Sequence, residues 1–231
     1  HHCLAVLLTE RAALRLRRLG VPVVLKAPIL APTAGGHRPL LELARRVGAN
    51  AMLGARVFTR RDGDLAPTAL RPSPEALAQV LRDPRVYGAE RSLPPPVEPD
   101  AIPCGIGRRG CRVGPDGSVY GCAVHPEPVG NLRERRFADI WWGDSPVLAR
   151  LRAIRNRDLG PACTACTKSG YCQRCLALGE LEHGDWRAPV EDACRTARAH
   201  DIAAGMAEAK LPPGLAGPVH LRSLPIVSNL R

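Results

Sequence analysis

The chain has 231 residues, of which 45% are hydrophobic and only 3% aromatic, so Leu, Val, Ile and Ala must fill its core. The formal net charge is +11, but nearly all of the cationic residues are Arg, scattered among Ala, Gly and Pro without the interleaved aromatics typical of nucleic-acid binding. We therefore expect no nucleic-acid partner and, since no run of about 18 apolar residues occurs, no membrane-spanning helix.

The N-terminal third of the chain alternates between helical and strand patterns. Apolar periodicity predicts three helices, over 9–19, over 40–47 and from 73 onward, and two strands, over 21–25 and 51–58. In these patterns Thr9 and Ser73 cap helices, and Gly20 and Gly48 end them. The alternation is typical of an α/β barrel or a doubly wound parallel sheet, but the strands are too few to close either. Because the sequence does not begin with Met, we expect a further part of the protein to precede residue 1.

A Pro-rich stretch, 93–99, predicts an extended linker to a second region, which contains nearly all of the cysteines. There, Pro115-Asp116-Gly117 has the composition of a hairpin turn between two short strands. Helices are predicted over 145–154 and 190–210, and the tail is predicted to be loosely packed. The resulting domain organisation is 1–92, the linker 93–99, a cysteine domain 100–209 and the tail 210–231.

Nine cysteines, an odd number, occur without a secretory signal, which argues against a disulfide framework and favours a cytoplasmic location. Cys3 is isolated, and we interpret it as an incidental thiol. The other eight are the number that two four-thiolate metal sites require. They are Cys104, Cys111, Cys122, Cys163, Cys166, Cys172, Cys175 and Cys194.

The spacing of these cysteines leaves the identity of the metal open. Cys163 and Cys166, and again Cys172 and Cys175, form Cys-x2-Cys pairs, which occur in zinc ribbons as well as around iron–sulfur clusters. Spacing alone also does not say which four cysteines share a site. A non-catalytic tandem zinc module that binds protein or nucleic acid is therefore the alternative function.

The residues around the cysteines resemble the SPASM domain of radical S-adenosylmethionine (radical SAM) enzymes that modify peptides. The resemblance rests on Pro115-Asp116-Gly117-Ser118-Val119-Tyr120-Gly121-Cys122, on Val129-Gly130-Asn131-Leu132, on Ile140-Trp141 and on the order of the eight cysteines. This family includes the anaerobic sulfatase maturases and the maturases of pyrroloquinoline quinone and mycofactocin. Residues 1–60 more loosely resemble the later part of the radical SAM partial (β/α)6 barrel, which gives an α/β fold class followed by a small α+β domain.

The resemblance implies two interlaced auxiliary 4Fe–4S clusters. The first would be held by Cys104, Cys111, Cys122 and Cys175, and the second by Cys163, Cys166, Cys172 and Cys194. Gln173 and Arg174 stand where relatives usually have glycines, and we expect this departure to alter the exposure or potential of a cluster.

The resemblance further implies an oxidoreductase-type maturase that acts on a peptide or protein by 5′-deoxyadenosyl-radical chemistry, with a ferredoxin or flavodoxin as electron donor. In that family a Cys-x3-Cys-x2-Cys motif holds a third 4Fe–4S cluster, which cleaves S-adenosylmethionine. The motif does not occur in this sequence, and we expect it before residue 1. The chain is therefore expected to contain no catalytic residue and to be inactive alone. The loop 31–36 lacks the Asn that relatives often place after strand five, so no ligand contact is predicted there.

A few other residues receive structural interpretations. His125 is read as a surface-loop histidine, and Trp141 and Trp142 as anchors of a helix in the core. Tyr171, between cysteines, is expected to shield a cluster from water. The glycines at positions 105, 107 and 110 are expected to let the backbone approach a cluster closely.

Overall fold

A computed structural model describes residues 2–87 and 97–205 of the chain. The described residues fall into two compact units, the first formed by 2–56, 70–87 and 199–205, and the second by 57–69 and 97–198. The predicted tail, most of the predicted linker and the end of the helix predicted over 190–210 lie outside the described residues. The domain boundaries drawn from the sequence stay a prediction.

The first unit contains a two-stranded parallel sheet with helices around it. Its elements are α1 (His2–Arg18), β1 (Val24–Pro28), α2 (His37–Val47), β2 (Asn50–Gly54), α3 (Pro74–Leu81) and α4 (Pro84–Tyr87). A short 3-10 turn occurs at Ala31–Gly36, and another, at Ala66–Leu70, lies in the second unit except for its last residue. The strands pair in register from Val24 opposite Asn50 to Pro28 opposite Gly54. The parallel pairing predicted from the helix–strand alternation is confirmed.

Local capping signals set several of these boundaries. The Ser73 hydroxyl accepts a hydrogen bond from the Ala76 N–H at 3.1 Å, so α3 starts where the sequence predicts. Gly48 ends α2 in the left-handed conformation, with φ of +68°, and its N–H bonds to carbonyls of the last turn. Both predictions are confirmed.

Several boundaries differ from the prediction. Helix α1 already covers the residues before Thr9, so Thr9 lies inside the helix and does not cap it. Strand β1 begins at Val24 rather than at Val21, and β2 ends at Gly54, well before the predicted residue 58. Each strand extends only as far as its partner supplies hydrogen bonds, and apolar runs do not reveal that register.

The second unit is built from a small antiparallel sheet and short helices. Its strands are β3 (Arg112–Val113), β4 (Ser118–Tyr120) and β5 (Pro128–Asn131), in the order β3-β4-β5. Its helices are α5 (Phe137–Trp141), α6 (Pro146–Ala153), α7 (Pro161–Thr164), α8 (Leu176–His183) and most of α9 (Glu191–Gly205), whose last residues belong to the first unit. Single 3-10 turns lie at Asn156–Asp158 and Ser169–Tyr171.

The β3–β4 hairpin confirms the predicted turn. Gly117 has a φ of +87°, and a Cβ on it would lie 2.7 Å from the Asn131 side-chain oxygen. The Asn131 amide in turn donates to the Asp116 carbonyl at 3.3 Å, which ties the turn to β5. Only glycine combines the left-handed backbone with this close approach.

Three small apolar clusters hold the second unit together. The first contains Ile106, Leu151, Ile154, Leu176 and Ala177, the second Val119, Val129, Ile140, Trp141 and Leu148, and the third Leu178, Val190 and Ala193. The mixture of helices and strands in the described residues is compatible with an α/β fold that carries a SPASM-like domain. None of the helices described is both long and apolar enough to cross a membrane.

Candidate metal centre

All eight clustered cysteines lie in the second unit as free thiols. Most of them occupy loops or helix ends, where a side chain can turn toward a ligand without breaking a backbone ladder. Cys111 immediately precedes β3, Cys122 lies two residues after the end of β4, and Cys175 is the N-cap residue of α8. Cys163 lies in α7 and Cys194 near the start of α9.

Three cysteines of the predicted first set share one apolar environment. Cys104, Cys122 and Cys175 are partly buried, and all three pack against the cluster that contains Ile106 and Leu176. The fourth, Cys111, is exposed. Thiols separated by up to 71 positions in the sequence are thereby brought to the same small core.

Backbone N–H groups point at one of these thiols. The Cys122 sulfur accepts hydrogen bonds from the Val124 N–H at 3.4 Å and from the His125 N–H at 3.3 Å. Donors of this kind stabilise a thiolate and tune a cluster that the thiolate holds.

The interpretation of His125 as a surface residue is wrong. Only 5% of the residue is exposed, and one ring nitrogen, Nδ1, lies 3.1 Å from the Glu127 carbonyl oxygen. The turn that places two N–H groups on the Cys122 sulfur also carries the ring inward, and a single sequence gives no signal of this.

The predicted second set is linked by electrostatics. Burial, the charge of Cys194 and then the charges of Cys163 and Cys166 raise the pKa of Cys172 to about 11, against an opposing effect of Arg174. The pKa of Cys194 is also raised, by burial first and then by Cys163 and Cys166. Because such effects weaken with distance, they indicate that Cys163, Cys166 and Cys194 lie near Cys172. A metal must displace their protons and offset this cost.

A buried arginine reaches the same group of thiols. Arg174 is only 8% exposed, and its Nη1 donates to the Cys163 sulfur at 2.8 Å. Its Nη2 donates to the carbonyls of Trp186 at 2.8 Å and Ala188 at 2.6 Å. The sequence marked Arg174 only as a departure from glycine and gave no sign of this contact.

The donor set suits an iron–sulfur cluster in its chemistry, because it combines partly buried thiols with N–H groups directed at sulfur. Among residues 2–87 and 97–205, no group of three or more His, Cys, Asp or Glu side chains is arranged to hold a metal ion. The residues that could hold a cluster are therefore named from their grouping and chemistry alone.

A pocket of about 580 Å³ opens in the second unit, and it shares Leu151, Ile154, Leu176 and Trp186 with the apolar cluster against which Cys122 and Cys175 pack. Its wall includes His125 and Leu176, each within three residues of one of those cysteines, together with Trp186 and charged side chains of both signs. Its volume is in the range that binds small ligands or a peptide side chain.

Other predicted residues have mixed outcomes. Trp141 is buried as predicted and packs in the core of the sheet, but Trp142 is 76% exposed and anchors nothing there. Tyr171 is half-buried. Gly107 has a φ of +66°, and a Cβ on it would meet the Leu148 side chain at 3.3 Å, so packing against α6 accounts for this glycine.

Comparison with known families identifies part of this region. Residues 104–167 match the model of the SPASM family, which is described as an iron–sulfur cluster-binding domain. The matched segment contains five of the eight cysteines, Cys104, Cys111, Cys122, Cys163 and Cys166, and the remaining three follow it. No curated protein matches the chain.

Proposed function

We propose that this chain is the C-terminal part of a radical SAM/SPASM oxidoreductase-type maturase that modifies a peptide or protein. The observation that carries the proposal is the match of residues 104–167 to the SPASM iron–sulfur cluster-binding domain. SPASM domains occur in radical SAM enzymes, and the resemblance of the first 60 residues to the end of a partial barrel agrees with that context. The proposal includes S-adenosylmethionine and a third cluster bound by a preceding part of the protein.

We further propose two auxiliary 4Fe–4S clusters with interlaced ligands. The first set, Cys104, Cys111, Cys122 and Cys175, is supported by the apolar core that three of its members share. The second set, Cys163, Cys166, Cys172 and Cys194, is supported by the raised pKa values of Cys172 and Cys194, to which burial contributes first and the charges of Cys163 and Cys166 also contribute. When bound, the clusters would accept or relay electrons.

The protein's own residues would keep these clusters dry and set their electrostatics. Apolar side chains pack beside the thiols, and backbone N–H groups of Val124 and His125 donate to the Cys122 sulfur. Hydrogen bonds to sulfur and exclusion of water are the main means by which a protein sets a cluster's potential. The pocket that shares apolar side chains with the core around Cys122 offers a place where a segment of the peptide substrate would be held near the first cluster.

The metal content of the chain tests this proposal directly. Anaerobic reconstitution with iron and sulfide should give a brown protein with about eight irons and eight sulfides per chain. A colourless protein that takes up about two zinc ions instead, and rejects iron, would support the tandem zinc module.

Single cysteine variants test the interlacing. Cys175→Ala and Cys111→Ala should remove the same electron paramagnetic resonance signal of the reduced protein, whereas Cys166→Ala and Cys194→Ala should remove the other. If the four consecutive cysteines from Cys163 to Cys175 instead formed one site, Cys175 and Cys166 would be ligands of the same cluster. Loss of one signal by both of those variants would therefore contradict the interlaced assignment even in an iron-containing protein.

A further inference from the structure

Arg174 is a buried cation whose surroundings are unusual for a guanidinium. Its Nη1 contacts the Cys163 sulfur, and its Nη2 is held by the backbone carbonyls of Trp186 and Ala188. These two carbonyls fix the plane of the guanidinium, so the approach of Nη1 to the sulfur is imposed by the backbone of the 186–188 segment. A side chain held in this way is pre-organised and loses little freedom on meeting a ligand.

The charge of Arg174 also needs an anionic partner. Burying a guanidinium is costly unless it is paired and hydrogen-bonded. The pKa of Asp185 is lowered mainly by hydrogen bonds from Arg187 and least by the charge of Arg174, and this carboxylate is about half exposed, so solvent screens its attraction to Arg174. The Cys163 sulfur is the acceptor in direct contact with it.

One donor of Arg174 has no protein acceptor. The buried Nε atom lacks a hydrogen-bond partner among the described residues, although Nη1 makes one of the contacts above and Nη2 the other two. A buried donor that makes no hydrogen bond costs about 1–3 kcal/mol, and native proteins usually provide an acceptor for it. Sulfide and thiolate sulfurs of a cluster held by Cys163 would be acceptors of suitable charge.

We infer that Arg174 is a positioning residue that holds a positive charge and N–H donors on the second cluster and raises its reduction potential. This inference rests on the proposed function, since it takes Cys163 as a ligand of that cluster. A reduced cluster carries one more negative charge than an oxidised one, so a fixed cation and hydrogen bonds to sulfur stabilise the reduced form more strongly. Arg174 thereby biases an electron toward the second cluster.

The position of Arg174 in the chain gives this bias a direction. The next residue, Cys175, belongs to the proposed first set, whereas the Arg174 side chain reaches Cys163 in the second. Arg174 therefore precedes a ligand of the first set in the chain, while its side chain donates to a sulfur of the second set. Electron flow from the first cluster to the second is the outcome that this asymmetry favours.

Redox titration of the reconstituted 231-residue chain tests the inference. Arg174→Gln removes the charge and retains a polar side chain, whereas Arg174→Lys retains the charge without the fork of donors. The matched control is Arg187→Gln, which removes one positive charge from an exposed side chain on the same segment that holds Arg174. Iron content and the midpoint potential of each cluster signal are measured in all variants.

Arg174→Gln should lower the midpoint potential of the second cluster by at least about 59 mV, which corresponds to a tenfold change in the equilibrium constant for one-electron reduction. Arg174→Lys should recover part of that shift, and Arg187→Gln should leave both midpoints near those of the wild type. Full iron content with an unchanged second midpoint in Arg174→Gln, or an equal shift in Arg187→Gln, would overturn the inference and leave the proposed function intact. If Arg174→Gln does not assemble the second cluster, an unshifted midpoint in a fully loaded Arg174→Lys variant would overturn it equally. A wild-type chain that binds no iron would instead overturn the proposed function and the inference with it, at the metal analysis.

Discussion

Truncating Leu178 should distinguish two effects, the loss of packing beside the thiols and the general loss of stability of the second unit. Leu178 is fully buried and forms a cluster with Val190 and Ala193, against which Cys172 and Cys175 pack. These two cysteines belong to different proposed sets, so the cluster supports one thiol of each site. Leu178→Ala should lower the free energy of unfolding by about 3 kcal/mol, the usual cost of a cavity at a fully buried leucine.

Beyond this cost, the variant should loosen the sulfur positions at both sites. We expect broadened paramagnetic resonance lines for both clusters and faster iron release to a chelator at temperatures where the protein remains folded. The control is Leu148→Ala, since Leu148 is equally buried but belongs to the core of the sheet around Val119 and Ile140. It should cost a similar free energy of unfolding while leaving the cluster lines sharp.

Iron release is measured by chelator absorbance, and the free energy of unfolding by denaturant titration of the same reconstituted samples. If both variants release iron in proportion to their loss of stability, the packing beside the thiols has no specific role. If Leu178→Ala leaves both cluster signals and the release rate unchanged despite a full loss of stability, the reasoning from that packing is wrong.

Three further predictions concern an ion pair, a turn glycine and a helix cap. Hydrogen bonds from Arg85 lower the pKa of Asp83 to about 2. The stabilisation by this carboxylate should therefore be fully present above about pH 4 and be lost toward pH 2, which lowers the free energy of unfolding by about 1–2 kcal/mol after solvent screening. Urea titrations across this range should show a weaker dependence of that free energy on pH for Asp83→Asn. Gly117→Ala should cost about 1–3 kcal/mol because of its φ of +87°, measured as a lower melting temperature, and an unchanged value would refute the strain argument. Ser73→Ala should cost about 1 kcal/mol through loss of the α3 cap, whereas Ser73→Asp should restore most of it in the same melting assay.

Features set by local chemistry could be predicted from the sequence. Examples are the helix cap at Ser73, the left-handed helix end at Gly48 and the hairpin turn at Gly117. Each of them depends on a few adjacent residues. Their physical cause lies within one turn of the chain, so composition and order suffice to find them.

Features set by distant partners could not be predicted in this way. The ends of β1 and β2 follow from their mutual register, which apolar runs do not encode. The burial of His125 and the contact of Arg174 with Cys163 depend on how loops fold back on one another. Only the expectation of glycines at 173 and 174, which the family resemblance implies, drew attention to the position of Arg174.

The second unit, which contains the eight clustered cysteines, is built from elements too short to be stable by themselves. Strands β3 and β4 have two and three residues, helix α7 has four, and the apolar residues are divided among three small clusters. Helices and hairpins of this length are marginal in water. If each metal site joins loops from distant parts of the chain, binding free energy becomes folding free energy. Loss of a ligand would then disturb structure and redox chemistry together, so a cysteine variant alone cannot assign an electron-transfer role. Substitutions that leave all eight thiols in place, such as those at Arg174 and Leu178, separate the two effects because they change the surroundings of the sulfurs and not their number.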